Sequence, residues 1–87
     1  MNGIERIAAE RQRQIEAEGW TTGHDAGHIT GQLLRAAICY AQDATGDVKN
    51  LDMQRWPWER KWWKPGTRIR DLEKAGALIA AEIDRLL

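Results

Sequence analysis

The stretch TRIRDLEKAGALIAAEIDRL, residues 67–86, decides the fold class. Ile69, Leu72, Ala75, Gly76, Ile79, Ile83 and Leu86 recur at three- and four-residue steps, the period of an amphipathic helix, for five turns. Asp71 falls near the start of this helix, where the dipole favours a negative charge. Arg70 beside it is placed either to pair with a neighbouring acid or to grip a phosphate.

Upstream, RWPWERKWWKPG at 55–66 is a tryptophan-rich connector, with room for one short helical turn after Pro57. Before it, Asp43 to Asn50 reads as a polar turn around Gly46. A second helix is predicted over Gly31–Gln42, with Leu33, Leu34, Ala37, Ile38 and Ala41 as its apolar stripe and Thr30 as its cap. Residues 21–31 carry glycine, threonine and histidine with neither helical nor strand period, so they form a loop. The first helix is predicted over Ile4–Glu18. Ile4, Ile7, Ala8 and Ile15 turn inward, Arg6, Arg13 and Glu16 turn outward, and Gly19 stops the helix before Trp20 folds back on its last turn. No strand-length run alternates and no repeat is present. The expectation is an all-α fold: one domain, residues 1–87, in which about three helices form a compact bundle with an ordered Trp-rich loop across it.

A chain of 87 residues buries a modest fraction of its surface, and homo-oligomerisation is an economical way to add stability. Thirteen basic and thirteen acidic side chains cancel, so no global field attracts a long nucleic acid. Locally the balance is different. Between Lys49 and Arg70 seven Lys or Arg face two acids, an excess that suits a phosphate-bearing small molecule or a local acidic surface. The lone Cys39 sits in an apolar helical pattern and reads as a small buried hydrophobe. No apolar run approaches bilayer length, and the expected location is cytoplasmic, away from any membrane.

Five tryptophans in a chain without phenylalanine are the strongest chemical signal. Trp56, Trp58, Trp62 and Trp63 fall within eight residues among Arg55, Arg60, Lys61, Lys64 and Arg68. An indole face stacks on a nucleobase while adjacent cations hold phosphate oxygens. The competing use of such rings is to complete a miniature core, and two or three can be absorbed that way, leaving one or two for contact. His24-Asp25-Ala26-Gly27-His28 has the i, i+4 histidine spacing of helical zinc proteases, but its glycines oppose a helix and no third ligand follows. Loop bracing or ligand hydrogen bonding suits His24, Asp25 and His28 better. Glu16 with Glu18, and Glu82 with Asp84, stand two apart on helices and diverge, so they read as solvated faces rather than metal clusters.

Glu10-Arg11-Gln12-Arg13-Gln14, Glu18-Gly19-Trp20-Thr21, His24-Asp25, Trp56-Pro57-Trp58, Trp62-Trp63-Lys64-Pro65 and Arg70-Asp71-Leu72 together resemble a group of small phage- and prophage-encoded proteins. The likeness spans nearly the whole chain. In layout the sequence is also similar to the RyR domain, the ryanodine-receptor repeat module, whose first helix ends in a Gly-Trp-Thr segment. Arg70-Asp71 reverses the order of the Asp-Arg dipeptide of that module's closing helix. The resemblance implies a counter-defence setting and recognition of a nucleotide-derived signal.

These readings converge on a non-enzymatic binder that sequesters a nucleotide-type small molecule, without cofactor or metal. Trp20, Trp58, Trp62 or Trp63 would stack on the base. Lys64, Arg68 or Arg70 would hold phosphate, and Thr21, His24, Asp25 and His28 would line the site. An inhibitor of a host protein, acting through the Trp/Arg patch, is the alternative. A metal-dependent nucleotide hydrolase relying on Glu82 is a third.

Overall fold

The computed structural model describes residues 1–18, 31–47 and 52–87. Three α-helices are present among them, with no strand: α1, Gly3–Glu18; α2, Gln32–Ala44; and α3, Arg68–Leu86. Two single turns of 3₁₀ helix, Met53–Arg55 and Arg60–Trp62, shape the tryptophan connector. The all-α expectation holds, and no helix is long and apolar enough to cross a membrane among the described residues.

Local chemistry accounts for the ends of these elements. Asn2 Oδ1 accepts from the Glu5 amide at 2.9 Å, and Glu5 Oε1 accepts from the Asn2 amide at 3.0 Å. This reciprocal capping box starts α1 at Gly3, a residue earlier than the apolar period indicates. Thr67 caps α3 by accepting from the Arg70 amide at 3.2 Å. The expected turn at Asp43 begins later, because α2 continues through Ala44. Gly46, at φ 82°, takes the left-handed position after Thr45 and returns its amide to the Asp43 carbonyl. The proposed Thr30 cap, the Gly19 stop and the 21–30 loop lie outside the described residues; Gly31 itself occupies the cap position of α2.

α3 is the hub. It packs along α2 and against α1, and no comparable packing joins α1 to α2. Small side chains make the approach close: Ala36, Ala37 and Ala44 of α2 and Ala75, Ala77 and Ala81 of α3 are all buried. Leu33 and Leu78 are the bulky aliphatics fully enclosed with them. Where α1 meets α3, a Cβ built on Gly76 would lie 2.6 Å from Ile7 Cδ1 and 2.7 Å from its Cγ1. Glycine is required there by contact.

The tryptophan connector closes one side of this layer. Trp56 is buried against Tyr40, Trp58 and Trp63, with ring centroids 5.7, 5.4 and 5.0 Å away in edge-to-face arrangements. Its indole Nε1 donates to the Glu59 carbonyl at 3.1 Å. Helix layer and connector together measure 22 Å in the shortest dimension, about one helix diameter plus one further layer.

The apolar stripes inferred from periodicity need correction. On α1 the enclosed residues are Glu10, Arg11 and Gln14, whereas Ile4 is 81% exposed. On α3 the enclosed face is Asp71, Ala75, Ala77, Leu78 and Ala81; Ile69, Leu72, Ile79, Ile83 and Leu86 lie outside. Periodicity identifies which residues share a face, and close packing through alanine then selected the narrower face for the interior.

Asp71 pins the connector to the helices. Its Oδ1 accepts from the Gly66 amide at 2.8 Å, and its carboxyl also hydrogen-bonds the Asp43 side chain on α2. Burial, with Asp43 alongside, pushes the Asp71 carboxyl from 3.8 up to about 6, against the opposing pull of the Gly66 amide. The folded protein thus holds this proton more tightly than the unfolded chain. The associated stability is complete below the unfolded pKa and is lost as pH climbs through the folded one. Asp71→Asn keeps an acceptor for Gly66 and a donor for Asp43 without ionising. Between about pH 4.5 and 7.5 wild type should lose up to about 2–3 kcal/mol of unfolding free energy that Asp71→Asn retains, read by denaturant titration at each pH. Gly76→Ala should destabilise by about 1 kcal/mol despite alanine's better helix propensity, and Ile7→Ala in the same chain should recover part of the loss in thermal melts.

Candidate functional site

The connector does not lie flat on the helices. Between it, α1 and α3 runs an open groove of about 1080 Å³, roomy by the standard of small-molecule sites, which span about 300–1,000 Å³. Trp58, Trp62 and Pro57 form one wall, Glu10, Arg13 and Gln14 the other, and Lys64, Arg70 and Lys74 lie between. Tyr40, Trp56 and Leu78 contribute apolar surface to its lining.

The α1 wall is organised around one carboxylate. Arg13 donates to Glu10 through Nε and Nη2, both at 2.8 Å, and Arg70 Nη2 reaches Glu10 Oε1 at 2.7 Å from α3. Gln14 Nε2 adds a fourth donor at 3.1 Å. Burial alone would raise the Glu10 carboxyl, but the Arg13 and Arg70 guanidiniums overcome that and hold it below the usual carboxylate range. Arg70 also binds Glu73 at 2.9 Å, and Arg6 joins Glu73 at 3.2 Å. With its amide nitrogen turned to Glu10, Gln14 leaves Oε1 buried and without a partner among the described residues. An acceptor so placed on a groove wall suits an incoming N–H or O–H group.

The connector wall supplies a stacking surface. Trp62 is 55% exposed, while Trp58 and Trp63 are half-buried against the core. The Lys61 and Lys64 ammonium groups sit 5.3 and 5.7 Å from the Trp62 ring centroid. Lys74 lies 5.2 Å from the Tyr40 centroid and donates to the Lys64 carbonyl at 2.6 Å, fixing the backbone under that side chain. Burial, then the nearby Arg70 charge, draws the Lys74 ammonium below its ordinary pKa. Arg13, Lys64, Arg70 and Lys74 outnumber the groove's two carboxylates, Glu10 and Glu59, giving a positive interior.

Of the residues expected at a site, Trp58, Trp62, Lys64 and Arg70 come together here. Trp63 stands apart, its ring 4.7 Å from Tyr40 and packed on the core. Arg68 is also elsewhere: its Nε donates to the Ala44 carbonyl at 2.9 Å, closing the end of α2. Trp20, Thr21, His24, Asp25 and His28 lie outside the described residues. The α1 wall is the part that sequence reasoning missed, although Glu10, Arg13, Gln14 and Ala17 share one helical face at three- and four-residue spacing. A polar face on a helix with an isoleucine stripe resembles a solvated one until a second helix covers it.

Among the described residues no group of three or more His, Cys, Asp or Glu could hold a metal ion. Glu82 is bound by Arg85 on the next turn, and Asp84 pairs with Arg11 Nη2 at 3.5 Å. Cys39 is buried, and burial raises its thiol pKa, which leaves it unreactive.

The Glu10 cluster sets an acid limit to stability. A depressed carboxylate contributes above its unfolded pKa and loses that contribution as pH falls through the folded value. Glu10→Gln should therefore cost about 2 kcal/mol near neutral pH and flatten the decline of stability below about pH 4, as measured by urea titration. Compared with protein-family models, curated proteins and solved structures, the chain matches none.

Proposed function

We propose that the groove captures a nucleotide-type small molecule without chemical conversion. The observation that carries this reading is Trp62, a half-open indole with the Lys61 and Lys64 ammonium groups beside its ring, at the mouth of a positively charged groove. A base would stack on the Trp62 face with Trp58 as the neighbouring edge, and Lys64 would follow the phosphate. Arg13, on the opposite wall and 40% exposed, reaches the same space as a second cation. Gln14 Oε1 would accept from an exocyclic amino group or a ribose hydroxyl. Arg70, engaged by Glu10 and Glu73, serves better as the strut that keeps the α1 wall in place than as a direct phosphate ligand.

Sequestration rather than turnover fits the chemistry on the walls. The groove's carboxylates are Glu10, committed to two guanidiniums, and Glu59, 3.7 Å from Lys61 at the rim. Neither is placed as a general base. With the resemblance to small phage-encoded proteins, the reading becomes a counter-defence sponge for a nucleotide-derived signal. An inhibitor that buries Trp62 in a host protein remains the alternative outcome.

The test is calorimetry and thermal shift with purified protein against AMP, ADP, ADP-ribose and cyclic dinucleotides. One class should bind and raise the melting temperature by several degrees. Stacking on one ring contributes about 1–3 kcal/mol, so Trp62→Ala should weaken that binding about 10- to 100-fold, and Lys64→Ala about 10-fold with a smaller salt dependence. The ligand should be recovered intact by mass spectrometry after incubation with Mg²⁺ or Mn²⁺. A flat panel rejects the nucleotide reading, and hydrolysed ligand rejects sequestration.

A further inference from the structure

Among the described residues, the face of the helix layer opposite the tryptophan connector is rich in exposed apolar side chains. On α3, Ile69, Leu72, Ile79, Ile83 and Leu86 are 59, 54, 44, 52 and 68% exposed. They follow the helical period on either side of Gly76, where Ile7 of α1 packs, and so form one stripe along α3. At about 100° per residue this stripe lies roughly 150° around α3 from Lys74, which faces the connector through Lys64 and Tyr40. Leu34 and Ile38, also exposed, lie on the side of α2 opposite Cys39 and Tyr40, the residues that meet Trp56. α2 and α3 thus both carry exposed apolar side chains away from the connector.

We infer that this face is the interface of a two-fold homodimer. Its extent fits: seven Ile and Leu side chains on α2 and α3, each showing on the order of 100 Å², expose about 700 Å², above the largest patch usual on a monomer and close to the ~800 Å² per partner of a standard interface. Composition points the same way. None of the seven described isoleucines is among the buried side chains, so the interior formed by one copy is built from alanines, Leu33, Leu78 and aromatic rings. A second copy supplies a helix of equal length carrying the same stripe, as an isologous contact requires. The chain's net charge is zero, so two copies do not repel one another. The nucleotide groove opens on the other side, so each dimer would hold two independent grooves.

Sedimentation equilibrium of the full chain over about 1–100 µM should give twice the 9.9 kDa of one chain, with a melting temperature that rises with protein concentration. Ile79→Ala with Ile83→Ala adds no charge, and should raise the dimer dissociation constant at least about 100-fold. Arg60→Ala, on the connector side, should leave it unchanged. A 9.9 kDa species at every concentration overturns the inference, as does melting independent of concentration. Wild-type affinity in the double alanine variant, or weakening by Arg60→Ala instead, moves the interface elsewhere and overturns it equally.

Discussion

Close approach through small side chains is the constraint on which the rest of this structure depends. Ala36 and Ala37 on α2 cluster with Ala75 and Ala81 on α3, and Gly76 admits Ile7 from α1 at a distance no Cβ would allow. Helices drawn together by alanine leave little space for branched aliphatics between them. Two consequences follow. The interior needs volume from elsewhere, which Trp56 and its aromatic neighbours provide from the connector. The isoleucines of α2 and α3, with no room inside, are left exposed on the surface.

The second consequence for function lies in how α1 attaches. Beside the Ile7–Gly76 contact, three ion pairs, Glu10 with Arg70, Arg6 with Glu73 and Arg11 with Asp84, cross between the two helices. Polar attachment holds α1 off the connector instead of collapsing onto it, and the space left between is the groove. Glu10 is the centre of this arrangement, since its two guanidinium partners belong to different helices and both line the cavity. The same residues that hold the wall in place also make the interior positive. Trp62 stays outside because Trp56, Trp58 and Trp63 already fill the space above Tyr40 and Cys39.

Much of the helical order was legible in the chain. The 67–86 period and the turn at Gly46 are local effects, settled by side chains within a few residues of one another. The division of the tryptophans between core and contact was also legible in kind, as a matter of volume. Which ring would be left open was not, because that depends on Tyr40 arriving from twenty residues away. The α1 wall escaped notice for a related reason. Glu10, Arg13 and Gln14 look like any solvated face until Arg70 arrives opposite them.

By itself the sequence determined three helices, the tryptophan connector with its surrounding cations, and the sets of residues that share each helical face. Tertiary structure alone decided which of those faces turned inward. A period of 3.6 residues groups side chains by direction but carries no information on what meets them. The outcome rested on competition between an alanine face that permits close contact and an isoleucine face that offers more area. Contact won within the chain, and the larger face was left on the surface.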